Sequence, residues 1–342
     1  MPTIRDVARR ARVAPITVSR VINNSGYIRE STRRRVEQAI EELEYVPNAL
    51  ASSLRFNKTN MIALVVTDIT NPFWTTITRG VEDACSECGM NVILCNTDER
   101  PDKEENYINV LLQKQTDGFL LAPVGGRSDI VRKIQKRGVP IVVIDRQIPS
   151  AHVDVVRSDS EDGAYRLTRY LLELGHRRIA ILSVSSHIST GRQRVDGYRR
   201  AFVEQGAAVD PALILHGEYK GQSGYQMTVD LMQHVRPLPT AIFAGNNFIA
   251  VGVLNALHDL GFRVPDDVSV VAFDDLPYAT EPFVTVAAQS PYELGLTAAN
   301  LLIDIIAKRE PAGTRDIVLP VELITRRSCR ALLPEPILPD DT

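Results

Sequence analysis

The first sixty residues and the remainder of the chain follow different hydrophobic rhythms. Ile4, Val7, Ala8 and Ala11 recur at helical spacing, with Thr3 as N-cap and Asp6 three residues on, which predicts a short amphipathic helix. After the turn Arg12-Val13-Ala14, Pro15 suits the first position of a second helix, where its missing N–H costs nothing. That helix turns Val18, Val21 and Ile22 inward and leaves Ile16, Thr17, Ser19, Arg20 and Asn23 pointing elsewhere. Two helices across a tight turn make a helix-turn-helix. A third is expected from Ser31 as N-cap through Val36, Ala39, Ile40 and Leu43, ending before Pro47, because the residue before proline is pushed out of helical geometry. The following segment, Asn48-Ala-Leu-Ala-Ser-Ser-Leu54-Arg55, is helix-prone but too short to hold alone in water.

From residue 60 the pattern becomes short apolar runs alternating with amphipathic helices. MIALVV (61–66), NVILC (91–95), GFLLAP (118–123) and PIVVID (140–145) read as strands. The pattern restarts with RRIAIL (177–182), ALILHG (212–217), TAIFAG (240–245) and VSVVAF (268–273), with helices such as 192–205 and 248–260 between them. Nearly unbroken apolar strands imply parallel sheets covered on both faces. The fold class expected is therefore α/β, with two Rossmann-like lobes behind a small helical head.

Charge divides the chain at the same place. Residues 1–58 carry 11 Arg and Lys against 6 Asp and Glu, and the rest 28 against 36. A cationic head on an acidic body suggests an arm that meets polyanions and a body with a separate task. The opening residues contain no apolar signal-like core, and no stretch approaches the roughly 18 apolar residues of a membrane span, so a soluble, cytoplasmic protein with no membrane partner is expected. Four cysteines are too few for a disulfide framework. Cys85 and Cys88 share a predicted helix without a second pair or nearby histidines, so neither a metal nor a cofactor is expected. There is no P-loop, no G-x-S-x-G elbow and no H-E-x-x-H motif, and the six histidines are scattered; nothing supports catalysis.

In open parallel sheets, ligands bind outside the carboxyl ends of the strands. Those positions hold Asn71, Phe73 and Trp74 after the first strand, Asp145 and Arg146 after the fourth, and Arg194 in RQRVDGY, read as a helix start. The second lobe adds Asn246, Asp274 and Gln289. Two aromatics offer flat apolar faces to sugar C–H groups, while carboxylates, guanidiniums and amides bind hydroxyls as acceptors and donors. Two Asp against two Arg leave this set formally neutral, which suits an uncharged polyol better than a carboxylate or phosphate.

The run TIRDVARRARVAPITVSRVINNSGYIRESTRRRVEQAIEELEYVPNALASSLR resembles the headpiece of the LacI/GalR family of bacterial transcription regulators. It matches the D-V-A, T-V-S-R-V-x-N, T-R-x-x-V and Y-x-P-N landmarks in order. The resemblance implies that the second helix enters the major groove of operator DNA, with Pro15, Ile16 and Arg20 reading bases and Thr17, Ser19, Asn23 and Thr32 on backbone or groove edge. It further implies that the segment containing Asn48, Ala51 and Leu54 is a hinge helix, folded on the operator and paired with its dimer mate, Leu54 wedging a central base step. The chain departs from the family at Ala14, where a hydroxyl or amide N-cap is usual, and at Pro15 or Ile16, where a polar residue is common, so the operator sequence does not carry over.

The body is similar to the periplasmic ribose-binding proteins, whose N-P-F-aromatic, D-R, R-x-x-G, N, F-D and final Q sugar contacts all have counterparts here. Trp74 stands where phenylalanine is typical, and Tyr219 is a looser match as a further aromatic wall. The domains implied are a helix-turn-helix at 1–45, a hinge helix and linker at 46–58, a sugar-binding and dimerisation body at 59–328, and a flexible tail at 329–342. Within the body, lobe 1 comprises about 59–157 and 288–318, and lobe 2 about 158–287 and 319–328. The function expected is a homodimeric, sugar-responsive transcription regulator, most simply a repressor, with double-stranded pseudo-palindromic operator DNA as partner and ribose or a similar monosaccharide as effector. A periplasmic-type sugar receptor would explain the body but not the basic head.

Overall fold

The computed structural model describes residues 2–46, 58–149, 151–275, 282–309 and 312–332. The chain forms two compact units, Met1–Thr59 and Asn60–Thr342. Asn48, Ala51 and Leu54 of the expected hinge lie outside the described residues.

In the first unit, helices α1 (Ile4–Ala11), α2 (Pro15–Ile22) and α3 (Glu30–Glu42) pack around Val7, Ala8, Ala11, Val18, Val21, Val36 and Ala39. The expected capping box is present. The Asp6 N–H donates to the Thr3 hydroxyl at 3.4 Å, and the Thr3 N–H donates to the Asp6 carboxylate at 2.9 Å. The helix α2 begins at Pro15, with Ala14 at the N-cap making no side-chain bond. One boundary differs from expectation: α3 starts at Glu30, with Arg29 rather than Ser31 in the N-cap place and no side-chain cap.

The second unit contains two six-stranded sheets. Lobe 1 is built from β1 (Met61–Val66), α4 (Pro72–Glu87), β2 (Asn91–Asn96), α5 (Pro101–Gln113), β3 (Gly118–Leu121), α6 (Ser128–Gln135), β4 (Ile141–Ile144) and β5 (Asp154–Ser158). Lobe 2 takes α7 (Ser160–Glu173), β6 (Ile179–Val184), α8 (Ser189–Glu204), β7 (Ile214–Gly217), α9 (Gly221–His234), β8 (Ala241–Ala244), α10 (Asn247–Asp259), β9 (Ser269–Phe273) and β10 (Thr285–Ala288). The chain then returns α11 (Pro291–Ile306) and β11 (Asp316–Leu319) to lobe 1 and β12 (Glu322–Ile324) to lobe 2. Strand orders are β11-β5-β4-β3-β1-β2 and β12-β10-β9-β8-β6-β7, every pairing parallel except β10 with β12. The strands β1, β3, β4, β6, β8 and β9 are buried almost throughout, which is why they read as continuous apolar runs.

The strands β5, β11 and β12 had no such signature. Asp154 in β5 is buried, yet its carboxylate accepts from the Gly313 and Arg315 N–H groups at 2.8 and 3.0 Å and from the Arg315 guanidinium at 2.8 Å. Arg157 likewise donates to Asp316 of β11 at 2.8 Å. These strands are held by long-range polar pairs that no local pattern reveals.

Helix pairs on the faces approach at glycines. A Cβ on Gly252 of α10 would lie 2.1 Å from the Gly221 carbonyl oxygen of α9, and one on Gly80 of α4 2.2 Å from the Tyr292 carbonyl oxygen of α11. Only hydrogen fits at these crossings.

Candidate functional site

The carboxyl ends of both sheets face one cavity of about 450 Å³ in the second unit. It is lined by all ten residues singled out for an effector: Asn71, Phe73, Trp74, Asp145, Arg146, Arg194, Tyr219, Asn246, Asp274 and Gln289. Two of the strand-end positions are structural equivalents. Asp145 follows β4 at φ 67° and Asp274 follows β9 at φ 65°. The N–H of Asp145 donates to Val156 O of β5 at 2.8 Å, and that of Asp274 to Ala287 O of β10 at 3.0 Å. A left-handed backbone costs a non-glycine residue roughly 1–2 kcal/mol and clusters at ligand sites. Each bend delivers one buried carboxylate into the cleft.

The electrostatics of that pair are set by burial. It pushes the Asp145 carboxyl up to about 6, although Arg146 and Arg194 oppose the shift and the neighbouring Asp274 and Glu99 charges add to it. Asp274 is raised for the same reason, opposed by Arg194 and by the amide of Gln289, which donates to its Oδ1. The Arg194 guanidinium stacks 3.8 Å from the Phe273 ring centroid and donates to the Gly245 carbonyl and to the Tyr219 hydroxyl, the latter at 3.4 Å. Arg194 sits in the second turn of α8, not at its start, because the helix begins at Ser189. Tyr219 also pairs with Thr190 across 3.0 Å.

The amides have local duties as well. Asn71 caps α4 through the Phe73 N–H at 3.0 Å, and Asn246 caps α10 through the Ile249 N–H at 2.8 Å. Phe73 and Trp74 meet edge to face with ring centroids 5.0 Å apart; Trp74 is buried and both touch the lobe 1 core as well as the cavity.

Several residues that bridge the lobes or line the cavity had not been marked. Asn247 exchanges two amide bonds with Asn71, at 3.0 and 2.9 Å, joining lobe 2 to lobe 1. A second bridge runs from the Gln147 N–H to the Ser189 hydroxyl at 2.8 Å and from Gln193 to the Gln147 side chain at 2.9 Å. Glu99 chelates Arg146. Asp68, Asp98, Arg100, Glu218 and Lys220 complete the charged lining, so six acids face four bases and the cavity is negative rather than neutral as the shorter set implied. The strand-end rule would have found Glu99, had it been applied to Thr97-Asp98-Glu99-Arg100 after the second strand.

In the first unit, α2 exposes Pro15, Ile16, Arg20 and Asn23, with Thr17, Ser19 and Thr32 half-buried. Ile16 is 46% exposed, an apolar side chain with no core to fill. Asn23 donates to the Ser19 carbonyl at 2.8 Å, while Arg20 makes no ion pair among the described residues. No helix among the described residues is long and apolar enough to cross a membrane, and no cluster of three or more His, Cys, Asp or Glu is placed for a metal there.

Comparison with known proteins agrees with this division. Residues 59–327 match the family described as periplasmic binding proteins and sugar binding domain of LacI family, and residues 3–48 match the lacI family of bacterial regulatory proteins. The HTH-type transcriptional repressor PurR of Haemophilus influenzae (strain PittEE) is 34% identical over 338 residues, covering 97% of this chain and all of that protein. Among solved structures, a complex of the transcriptional regulator CelR with cellobiose superposes with a TM-score of 0.73 at 32% identity, covering 96% of this chain and 100% of its own. The lac repressor dimer bound to operator and the anti-inducer ONPF gives 0.84 at 25% identity, over 96% and 99%. With a helix-turn-helix unit joined to a two-lobed cleft and both halves matched in order, this chain belongs to the LacI family of DNA-binding transcription regulators and is not an enzyme.

Proposed function

We propose that the chain is a homodimeric repressor whose hold on a pseudo-palindromic operator is controlled by a small uncharged sugar in the cleft between the lobes. The carrying observation is the pair of buried carboxylates, Asp145 and Asp274, presented by equivalent left-handed bends of the two lobes and flanked by Arg146, Arg194 and the Phe73–Trp74 faces. A polyol offers a donor on nearly every carbon to satisfy two such acceptors; a purine base has few donors to offer them. The six-to-four excess of acids disfavours sugar phosphates. The cellobiose complex of a similar regulator supports a sugar, and the residue match makes ribose first choice, other pentoses and hexoses next.

Binding controls DNA only through a difference in affinity between lobe arrangements. Asn71–Asn247 and Gln147–Ser189 bridge the lobes, so they are bonds that a separation of the lobes would break. On the DNA side, Pro15, Ile16 and Arg20 are the base readers, Arg20 having the fork that fits guanine O6 and N7 and Ile16 the apolar surface for a thymine methyl. Thr17, Ser19, Asn23 and Thr32 hold the backbone and groove edge, and Asn48, Ala51 and Leu54 serve the hinge.

Calorimetry on the full chain with ribose, glucose, cellobiose, ribose 5-phosphate, hypoxanthine and guanine tests the reading. A neutral sugar should bind best, and Asp274→Ala should remove that binding while operator affinity stays within about twofold, since each hydroxyl–carboxylate bond contributes roughly 1.5–3 kcal/mol. A purine or the phosphorylated sugar binding best would overturn it.

A further inference from the structure

The loop after β2 holds Asp98 at φ 53° and Glu99 at φ 56°, two successive non-glycine residues in left-handed backbone. Such strain persists only where the surroundings hold it. Here the restraint is a chelate. Glu99 Oε2 accepts from Arg146 Nη1 at 2.8 Å, Oε1 accepts from Nη2, and the same Nη1 donates to the Pro123 carbonyl at 2.9 Å. Arg146 is only 3% exposed, and although burial works against its charge, the Glu99 carboxylate holds it firmly protonated. Glu99 is held below the usual carboxylate range: burial opposes this, but Arg146 outweighs it.

The consequence lies in what Arg146 has left to give. Two parallel N–H groups of a guanidinium are the feature that recognises a carboxylate or phosphate, and the end-on pair, one N–H from each terminal nitrogen, is taken by Glu99. Its Nε is buried and lacks a hydrogen-bond partner among the described residues. The Nε–H and the second N–H of Nη2 remain, but Asp145 Oδ2 lies 3.9 Å from Nε, so an acid group approaching that side meets a carboxylate already in place, whereas a neutral hydroxyl does not. The other cations of the cavity are also engaged: Lys220 with Glu218 at 2.8 Å, Arg100 with Asp102, and Arg194 with Gly245 and the Phe273 ring.

We infer that Glu99 is the specificity-determining residue of the cleft, selecting uncharged over acidic ligands by pairing end-on with the Arg146 guanidinium and cancelling its charge. The inference rests on the reading of the cleft as a sugar site but fails or stands separately from it. Glu99→Gln keeps the shape and removes the competing charge. The probes are D-glucuronate and inorganic phosphate, titrated by calorimetry into the full chain at pH 7.5 and compared between the native protein and the variant.

Affinity for at least one probe should rise tenfold or more in Glu99→Gln, and the gain should vanish in Glu99→Gln/Arg146→Gln. Equal affinities in the native protein and Glu99→Gln, or a gain that survives loss of the Arg146 guanidinium, would overturn the assignment. If Glu99→Gln does not fold, as judged by thermal unfolding, Glu99→Ala takes its place with the same criteria. A native protein that binds none of the neutral sugars would refute the sugar effector, and the gain of anion binding in the variant would still decide the role of Glu99.

Discussion

Lowering the pH from 7.5 to 5 should weaken effector binding about tenfold. The perturbation acts on Asp145, whose carboxyl burial raises from 3.8 to about 6. Sugar hydroxyls donate to the ionised form, so bound ligand favours the deprotonated state and protonation competes with it. One unit below the folded value, about one site in eleven remains ionised, equivalent to roughly 1.4 kcal/mol of lost affinity. Asp274, also raised by burial, acts in the same direction.

The protein's own stability should move the opposite way. A carboxyl whose folded value lies above its unfolded one penalises the folded state at high pH, and the penalty is removed as pH falls through about 6 towards 4. The shift corresponds to roughly 3 kcal/mol for this one group. Without sugar, the thermal midpoint contribution of Asp145 rises on acidification; with sugar, the ligand-induced increment shrinks. Calorimetry at pH 7.5, 6 and 5 and matched thermal melts measure both. Glu104 titrates in the same window, being pushed up to about 7 by burial while its carboxylate accepts from the Val124 N–H at 2.8 Å. Glu104→Gln removes that contribution and Asp145→Asn removes the proposed one. Sugar affinity that is unchanged or stronger at pH 5 in Glu104→Gln would refute the reasoning.

Three further outcomes are expected. Arg20→Ala should cost roughly 1–3 kcal/mol of operator affinity and relax preference at one base pair per half-site, as read by binding to a panel of operator variants; a uniform loss would make Arg20 a phosphate contact. Leu54→Ala should weaken operator binding and reduce DNA bending while sugar affinity stays unchanged, and an unbent operator with the native protein would defeat the wedge assignment. Gly252→Ala places a Cβ 2.1 Å from the Gly221 carbonyl oxygen, so separating α9 from α10 should cost about 1–3 kcal/mol and lower the thermal midpoint by several degrees; an unchanged midpoint would show that the crossing yields freely.

Element types were legible because hydrophobic period is a local property. Val7, Ala8 and Ala11, or Val18 and Val21, declare a buried helical face without reference to anything distant, and all five turn up in the core of the first unit. The same holds for the apolar runs of β1, β3, β4 and β9. The strand-end rule then placed Asp145 and Asp274 at the mouth of their sheets from nothing more than the residue following each run.

Partnerships between polar side chains were not legible, since topology chooses them. Glu99 and Arg146 are 47 residues apart and Asn71 and Asn247 are 176 apart; no spacing rule joins either pair. The polar strand β5 becomes a strand only because β11 returns from beyond α11 to bring Asp316 to Arg157 and the Gly313–Arg315 backbone to Asp154. The sequence by itself determined which segments would be helices and apolar strands, where the basic head ends, and several of the strand-end residues that line the cavity. Only the tertiary structure decided the charge of the cleft, since a guanidinium counts as a free cation until the fold shows which carboxylate lies against it.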